Sequence, residues 1–451
     1  MNPILLHNPL FLKDVLKITE GKLYFSTVNQ KKFSKLATDT RCDLRDALFV
    51  AIKGENFDGH TFLKQAQEKG ASYALVEDLA HCPRDFPSIL VSNTKIALGK
   101  LANWVREEWD GEVFAITGSN GKTTTKEMLF AILNGAWDDV AATKGNLNNN
   151  LGVPFTLLPL ACQRAVVVEM GMNHQGEIAY LSHIAQPNVA LITNAGRAHL
   201  SGLKNVENVA KEKADIFKGL QKNGIAVLPK FSPFFEMWQK SAKNCRIFSY
   251  AFDDESADLN AHLKNEGARF VLCLEEGEIP LQVLGKHNAE NALAAVAMAK
   301  IAHIPFSYIQ KALMNFQAPL GRLHLKNSGK WQVIDDTYNA NPESMRAAIN
   351  VLSTVNHKKI LVLGDMGEVG ENAAQMHAEI GAFAKEKGID ALFALGNFSK
   401  LAAETFGENA KFFENAPMLV AELKKENTPA VILVKGSRFM RMEKIVEALC
   451  S

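Results

Sequence analysis

At 451 residues the chain is long enough for about three domains of roughly 150 residues each. With 47% apolar and 22% charged residues and a formal net charge of +1, it has the composition of a soluble globular protein, and no bulk charge draws it to nucleic acid or a membrane surface. Its six cysteines, Cys42, Cys82, Cys162, Cys245, Cys273 and Cys450, form no Cys-x-x-Cys pair, which argues against a zinc site or disulfide framework and fits a reducing compartment.

Residues 1–7 have neither the basic start nor the long apolar core of a signal peptide. No run reaches the roughly 18 apolar residues of a membrane span, so a cytoplasmic protein without membrane insertion is expected. Over the first 85 residues short strands and helices mix: 47–52 reads as a strand, 61–70 as a helix and 74–76 as a second strand. A helix over 94–109 leads to an apolar, partly β-branched strand at 112–116, and 126–133 has helical spacing. Strands at 165–168 and 189–193 alternate with helical segments, as in a parallel sheet covered on both faces. Strand-like alternation follows over 246–284, then an Ala-rich helix at 288–303, and Pro305 and Pro319 punctuate the end of this part. A second alternating series has strands at 332–335, 359–364, 391–396 and 430–434. The expected fold is α/β in three domains: a small N-terminal α/β domain (1–85), a central P-loop NTPase-like doubly wound sheet (86–317) and a C-terminal Rossmann-like domain (318–451). No internal repeat or low-complexity tract interrupts them.

The chemistry begins between the strand at 112–116 and the helix after it, at Gly118-Ser119-Asn120-Gly121-Lys122-Thr123-Thr124. Glycines let backbone N–H groups approach phosphate oxygens and a helix N-terminus adds a favourable dipole. Lys122 reaches the outer phosphates, and the Thr123 hydroxyl is placed to ligate Mg²⁺. The loop is shorter than the general pattern, which has a glycine where this chain has Ile116. Glu169 ends an apolar strand, where a doubly wound sheet presents its site, and is a candidate Mg²⁺ ligand, a helix cap or a salt-bridge partner. The next strand delivers His199 to the same edge, to ligate metal, stabilise transferred phosphate or cap a turn. Lys211 and Lys213 read, on periodicity, as a solvated helix face.

The short Thr-Gly-x-x-Gly-Lys-Thr loop resembles that of the ATP-dependent Mur ligases and their relative folylpolyglutamate synthase. The resemblance continues at 118–128 (GSNGKTTTKEM), 335–345 (DDTYNANPESM), 363–370 (LGDMGEVG) with His377 beyond, 434–438 (VKGSR), and in the first domain at 48–54 with Asp58-Gly59-His60. These stretches are most similar to the branch that adds D-alanyl-D-alanine to a UDP-N-acetylmuramoyl-tripeptide through an acyl phosphate, in peptidoglycan precursor synthesis. The resemblance implies ATP and Mg²⁺ as cofactors, and a Lys213 carbamylated by CO₂ that holds a second Mg²⁺ with Glu169 and His199. It implies adenine-side contacts from Asn288 and Asn291, nucleotide contacts from Arg322 and Asp336, and UDP contacts from Thr40 and Arg41 in the first domain. Asn339, Asn341, Lys435, Ser437 and Arg438 are placed by it near the incoming dipeptide. A monomer that meets no nucleic acid is expected. In the first domain Asp46-Ala47 stands where the family has Gly-Asp, and Gly367 replaces a leucine. A ligase adding the third amino acid and a folylpolyglutamate synthase remain as alternatives, both disfavoured by 335–342. A regulatory P-loop protein that ligates nothing is the alternative of another class, separated by whether ATP turnover needs a carboxylate and an amine together.

Overall fold

The computed structural model describes residues 2–25, 31–55, 57–197 and 200–451. Among the described residues there are three sheets, following one another along the chain. In the first, the parallel strands Lys32–Ala37, Leu48–Val50, Tyr73–Val76 and Ser88–Leu90 are flanked by antiparallel edges, Ile4–Phe11 on one side and Lys22–Tyr24 on the other. The strand Ser88–Leu90 pairs with Tyr73–Val76 and so extends this sheet beyond residue 85, where the first domain was expected to end. The turn before Leu48–Val50 keeps a left-handed residue although glycine is absent: Asp46 has φ 62°, which aspartate tolerates better than most side chains.

The helix Thr94–Glu108, capped by the Asn93 side chain on Ile96 N at 2.9 Å, joins the first sheet to the second. Its buried Leu98, Leu101 and Val105 share one apolar core with Leu10 and Val15 of the first domain and with Ile178 and Leu181 of the second.

The central sheet has nine strands, in the order Gly277–Pro280, Arg269–Leu274, Leu259–Glu266, Arg246–Phe252, Ile225–Pro229, Val189–Ile192, Glu112–Thr117, Ala165–Glu169, Val140–Ala142. The first three pair antiparallel and the rest are parallel. The chain leaves Glu112–Thr117 for one edge, returns beside it as Ala165–Glu169, then crosses to its other side as Val189–Ile192. This reversal opens a crevice at the carboxyl end of Glu112–Thr117. The helices Lys122–Trp137 and Lys286–Ile301 cover one face, Thr94–Glu108 and Glu177–Ala185 the other.

The third sheet runs His324–Ser328, Trp331–Asp336, Ala430–Lys435, Lys358–Gly364, Ala391–Leu395, Ala410–Phe413, parallel except for its first hairpin. The last strand in sequence is inserted in the middle, which brings Asp336, Asp365 and Lys435 to one edge. Among the described residues no helix is long and apolar enough to cross a membrane.

Candidate active site

The phosphate loop fills the crevice. Gly121 adopts φ 83° at the start of Lys122–Trp137, and a Cβ there would lie 2.1 Å from Asn291 Oδ1; one on Gly118 would lie 1.8 Å from Thr193 Oγ1. The loop is sealed to the neighbouring strand end: Ser119 N donates to Asn194 O (3.0 Å), Asn120 N to Asn194 Oδ1 (2.9 Å), and Gly196 N to Ser119 Oγ (2.9 Å). Ser119 and Asn120, expected among the ATP contacts, have their amides bonded to Asn194 here, while the N–H groups of Gly121, Lys122, Thr123 and Thr124 stand at the helix start. Lys122 Nζ donates to Gly118 O at 2.7 Å, and burial, with Arg322 nearby, lowers its pKa against the opposing pull of Glu169.

Glu169 is 1% exposed at the end of its strand. Its Oε1 accepts from Asn148 Nδ2 at 2.8 Å, while Oε2 is buried without a partner among the described residues. Leaving such an oxygen unsatisfied costs about 1–3 kcal/mol. Thr123 Oγ1 accepts from Arg322 Nη2 at 2.8 Å, and the Arg322 guanidinium lies 4.0 Å from the centre of the Tyr338 ring.

Lys213 was expected on a solvated helix face by periodicity; instead it is 2% exposed in the helix Val206–Ala214, whereas the Lys211 side chain is 59% exposed. Burial first, then the neighbouring Lys122, push the Lys213 amine well below the usual lysine range, against Glu212. Glu212 is itself held by Gly176 N (2.8 Å) and Ile178 N (3.3 Å). His199 lies outside the described residues. Among the described residues no three His, Cys, Asp or Glu side chains are grouped to hold a metal ion.

On the nucleotide side, Asn288 Nδ2 donates to Leu284 O (2.8 Å) and Asn291 Nδ2 to Asn288 Oδ1 (3.0 Å), both side chains buried at the start of Lys286–Ile301. With Gly121, Tyr250, His287 and Glu290, Asn291 lines a small pocket beside the loop. Burial lowers His287 from 6.5 to about 4, with Asp336 opposing and Lys435 adding, and burial raises Glu290. Asp336 pairs with Lys435 (2.6 Å) and accepts from Leu323 N (3.1 Å), setting the turn that carries Arg322.

The other C-terminal candidates have structural duties. Lys435 Nζ also donates to Asn339 O (2.9 Å), and the Asn339 side chain accepts from Ala340 N (2.9 Å). Asn341 caps Pro342–Ser353 in a reciprocal box with Ser344, and donates to Asn120 Oδ1 at 2.8 Å. Ser437 Oγ accepts from Gly367 N (2.7 Å) and donates to Ala340 O (3.2 Å). Arg438 is exposed and meets Glu443 at 3.3 Å. His377 is fully buried, donating from Nδ1 to Ala373 O (2.7 Å) and accepting Met366 N at Nε2 (2.9 Å), so it is a neutral strut.

In the first domain Thr40 donates to Gln65 Oε1 (2.6 Å), and Arg41, with its side chain 85% exposed, pairs with Asp39 (2.7 Å). Among the described residues no hydrogen bond or ion pair joins Thr40 or Arg41 to the phosphate loop. Asn148, Arg197 and Glu343 were not singled out from sequence. Arg197 donates to Glu343 across the domain boundary at 2.7 Å, with Glu379 at 3.7 Å. A signal for the first existed in the asparagines Asn146, Asn148, Asn149 and Asn150; a lone arginine in a loop carries none.

Three family descriptions match: the Mur ligase family, catalytic domain, at 39–104; the Mur ligase middle domain at 116–299; and the Mur ligase, glutamate ligase domain, at 321–438. The UDP-N-acetylmuramoyl-tripeptide–D-alanyl-D-alanine ligase of Haemophilus influenzae is 39% identical over 427 residues, 92% of this chain and 93% of that one. The ligase of the same name in Escherichia coli is 37% identical, covering 97% and 98%. The crystal structure of MurF from Acinetobacter baumannii superposes with a TM-score of 0.92 at 35% identity, covering 99% of both chains. MurF of Thermotoga maritima in complex with ADP gives 0.80 at 26%, covering 92% and 96%.

Proposed function

The chain belongs to the Mur ligase family, and on that premise we propose that it joins D-alanyl-D-alanine to UDP-N-acetylmuramoyl-tripeptide in the cytoplasm, as a monomer. What carries the reading is that relatives 39%, 37% and 34% identical over nearly their whole length share that one activity. ATP transfers its γ-phosphoryl group to the tripeptide carboxylate, giving ADP and an acyl phosphate. The dipeptide amine adds to the acyl carbon and loses a proton, and the tetrahedral intermediate expels phosphate as the peptide bond forms.

The residues act by positioning and by charge. Lys122 and the amides of residues 121–124 hold the phosphates, and Arg322 arrives at Thr123 from the other domain to share that charge. Asn288, Asn291 and Asp336 are assigned to the nucleoside end, Thr40 and Arg41 to the UDP group, and Asn339, Asn341, Lys435 and Ser437 to the neighbourhood of the dipeptide. Thr123 would hold one Mg²⁺ by its hydroxyl oxygen, and Glu169 with His199 and a carbamylated Lys213 would hold a second; the two ions would neutralise the anions that otherwise repel one another. Lys213 suits carbamylation because burial, and then Lys122, disfavour its charged form. It adds to CO₂ with loss of a proton and becomes an anion where an ammonium would face Lys122.

The test is phosphate release from ATP with the UDP-linked tripeptide, with and without D-alanyl-D-alanine, and with single amino acids as controls. Release that needs both substrates is expected; release answering to a single amino acid would move the chain to another branch of the family. Lys213→Ala should lose turnover and recover part of it with short carboxylates, and the carbamate assignment fails if neither happens.

A further inference from the structure

We propose that Asn148 is the positioning residue of the metal-facing carboxylate. It holds Glu169 Oε1 so that Oε2 stays buried, unpaired and open to a divalent cation. The inference rests on the reading of Glu169 given above. Asn148 Nδ2 donates to Oε1 at 2.8 Å, and the other oxygen of the same carboxylate has no partner among the described residues. The two oxygens of a buried carboxylate are chemically equal, so this asymmetry is imposed by what surrounds them. A carboxylate free to rotate about its last bond would offer either oxygen; one held by an amide offers only the second.

Both partners are fixed at the backbone. Asn148 O accepts from Gly171 N (2.8 Å) and Asn148 N donates to Asn146 O (2.8 Å). A side chain at Gly171 would begin 2.8 Å from Asn148 Oδ1, so anything larger than glycine there would push the Asn148 amide from its place. Glu169 N donates to Thr143 Oγ1 (3.0 Å), and Thr143 O accepts from the fully buried Lys126 Nζ (2.6 Å). Lys126 sits in the helix that the phosphate loop opens, so that helix, the strand end and the asparagine loop are tied into one frame. The donor is also neutral. A lysine or arginine in place of Asn148 would orient the carboxylate equally well but would cancel the charge that attracts a cation; an amide orients it and leaves the charge.

The experiment uses the full chain with Mn²⁺ as the metal probe and a non-hydrolysable ATP analogue, following bound Mn²⁺ by electron paramagnetic resonance. Asn148→Ala and the nearly isosteric Asn148→Leu, which keeps the bulk, adds no charge and lacks the donor, should each raise the Mn²⁺ concentration for half-saturation by about 10–100-fold. Analogue binding without metal should be unchanged in both. Glu169→Gln should lose the metal-dependent signal altogether. If Asn148→Ala does not fold, Asn148→Leu decides alone. Unchanged Mn²⁺ saturation in the folded asparagine variants would overturn the proposal, as would an undiminished signal in Glu169→Gln. Phosphate release by the unaltered chain reports separately on the ligase reading, so a protein that binds Mn²⁺ as predicted but ligates nothing would sink that reading and leave the positioning role standing.

Discussion

A single side chain can carry a pH dependence that belongs to the fold rather than to catalysis. His287 is held at about 4 instead of 6.5, chiefly by burial, so the folded protein keeps it neutral where the unfolded chain protonates it. The unfolded state then binds more protons between those two values, and stability falls as pH drops through that window. From pH 7 to pH 5 the loss from this group is on the order of 2 kcal/mol. Urea denaturation at the two pH values should show it, and His287→Gln should remove that share; an identical acid loss in the variant would assign the effect elsewhere. The same scale shows where sequence reasoning stops. The loop and Glu169 were legible because their chemistry is local: a glycine pattern at a strand-to-helix junction and a carboxylate closing an apolar strand. Lys211 and Lys213 were not separable, since residues two apart on a helix face nearly opposite ways and periodicity did not say which way the chain buries. Ser119, Asn120, Asn341 and Ser437 were read for ligand chemistry. Their hydrogen bonds in the structure hold the loop and cap the helix, a use that depends on partners as far as 221 residues away, such as Asn341 to Asn120.

Elements were readable in proportion to how buried they are. Ala165–Glu169 and Ala430–Lys435 are buried at every position, and a parallel strand covered on both faces must be an apolar run. The edge strands His324–Ser328 and Ala410–Phe413 mix exposed and half-buried residues, and Ile4–Phe11 buries only Leu6 and Leu10, so none of them shows the unbroken apolar run of a central strand. The helix Pro342–Ser353 gives an element-scale test. Asn341 both caps it and reaches Asn120 of the phosphate loop. Removing a cap costs about 1 kcal/mol, so Asn341→Ala should lower thermal stability by that amount and Asn341→Ser should restore most of it. Serine is too short to span to Asn120, so both variants should weaken nucleotide binding alike. Nucleotide affinity that recovers together with stability in the serine variant would show that the cap alone matters.

At the scale of the whole molecule the two domain junctions differ in kind. The first and central domains share one apolar core through Thr94–Glu108, and such a junction resists movement. Of the described residues before the C-terminal domain, Leu284 and Ala268 join the larger of that domain's two cores, and polar contacts of Arg322, Asn341 and Arg197 also cross between it and the central domain. Those contacts concentrate at the phosphate loop and at Arg197, whose partners Glu343 and Glu379 have side chains 37% exposed. Partly exposed ion pairs of this kind contribute about 0–1 kcal/mol each. That is too little to govern folding, yet enough to bias two domain arrangements close in energy, by up to about fivefold. Arg197→Ala should therefore leave the thermal midpoint nearly unchanged while increasing the radius of gyration in solution scattering without nucleotide. Raising salt from 0.15 M to 1 M should move the unaltered protein the same way, because screening at about 3 Å leaves little of such pairs. An ATP analogue with the UDP-linked tripeptide should compact both proteins, since Arg322 and the loop then share a ligand that needs no Arg197. Scattering curves that coincide for variant and parent at every salt concentration would mean that the phosphate-loop contacts alone set the arrangement, and Arg197 would be reduced to a surface ion pair.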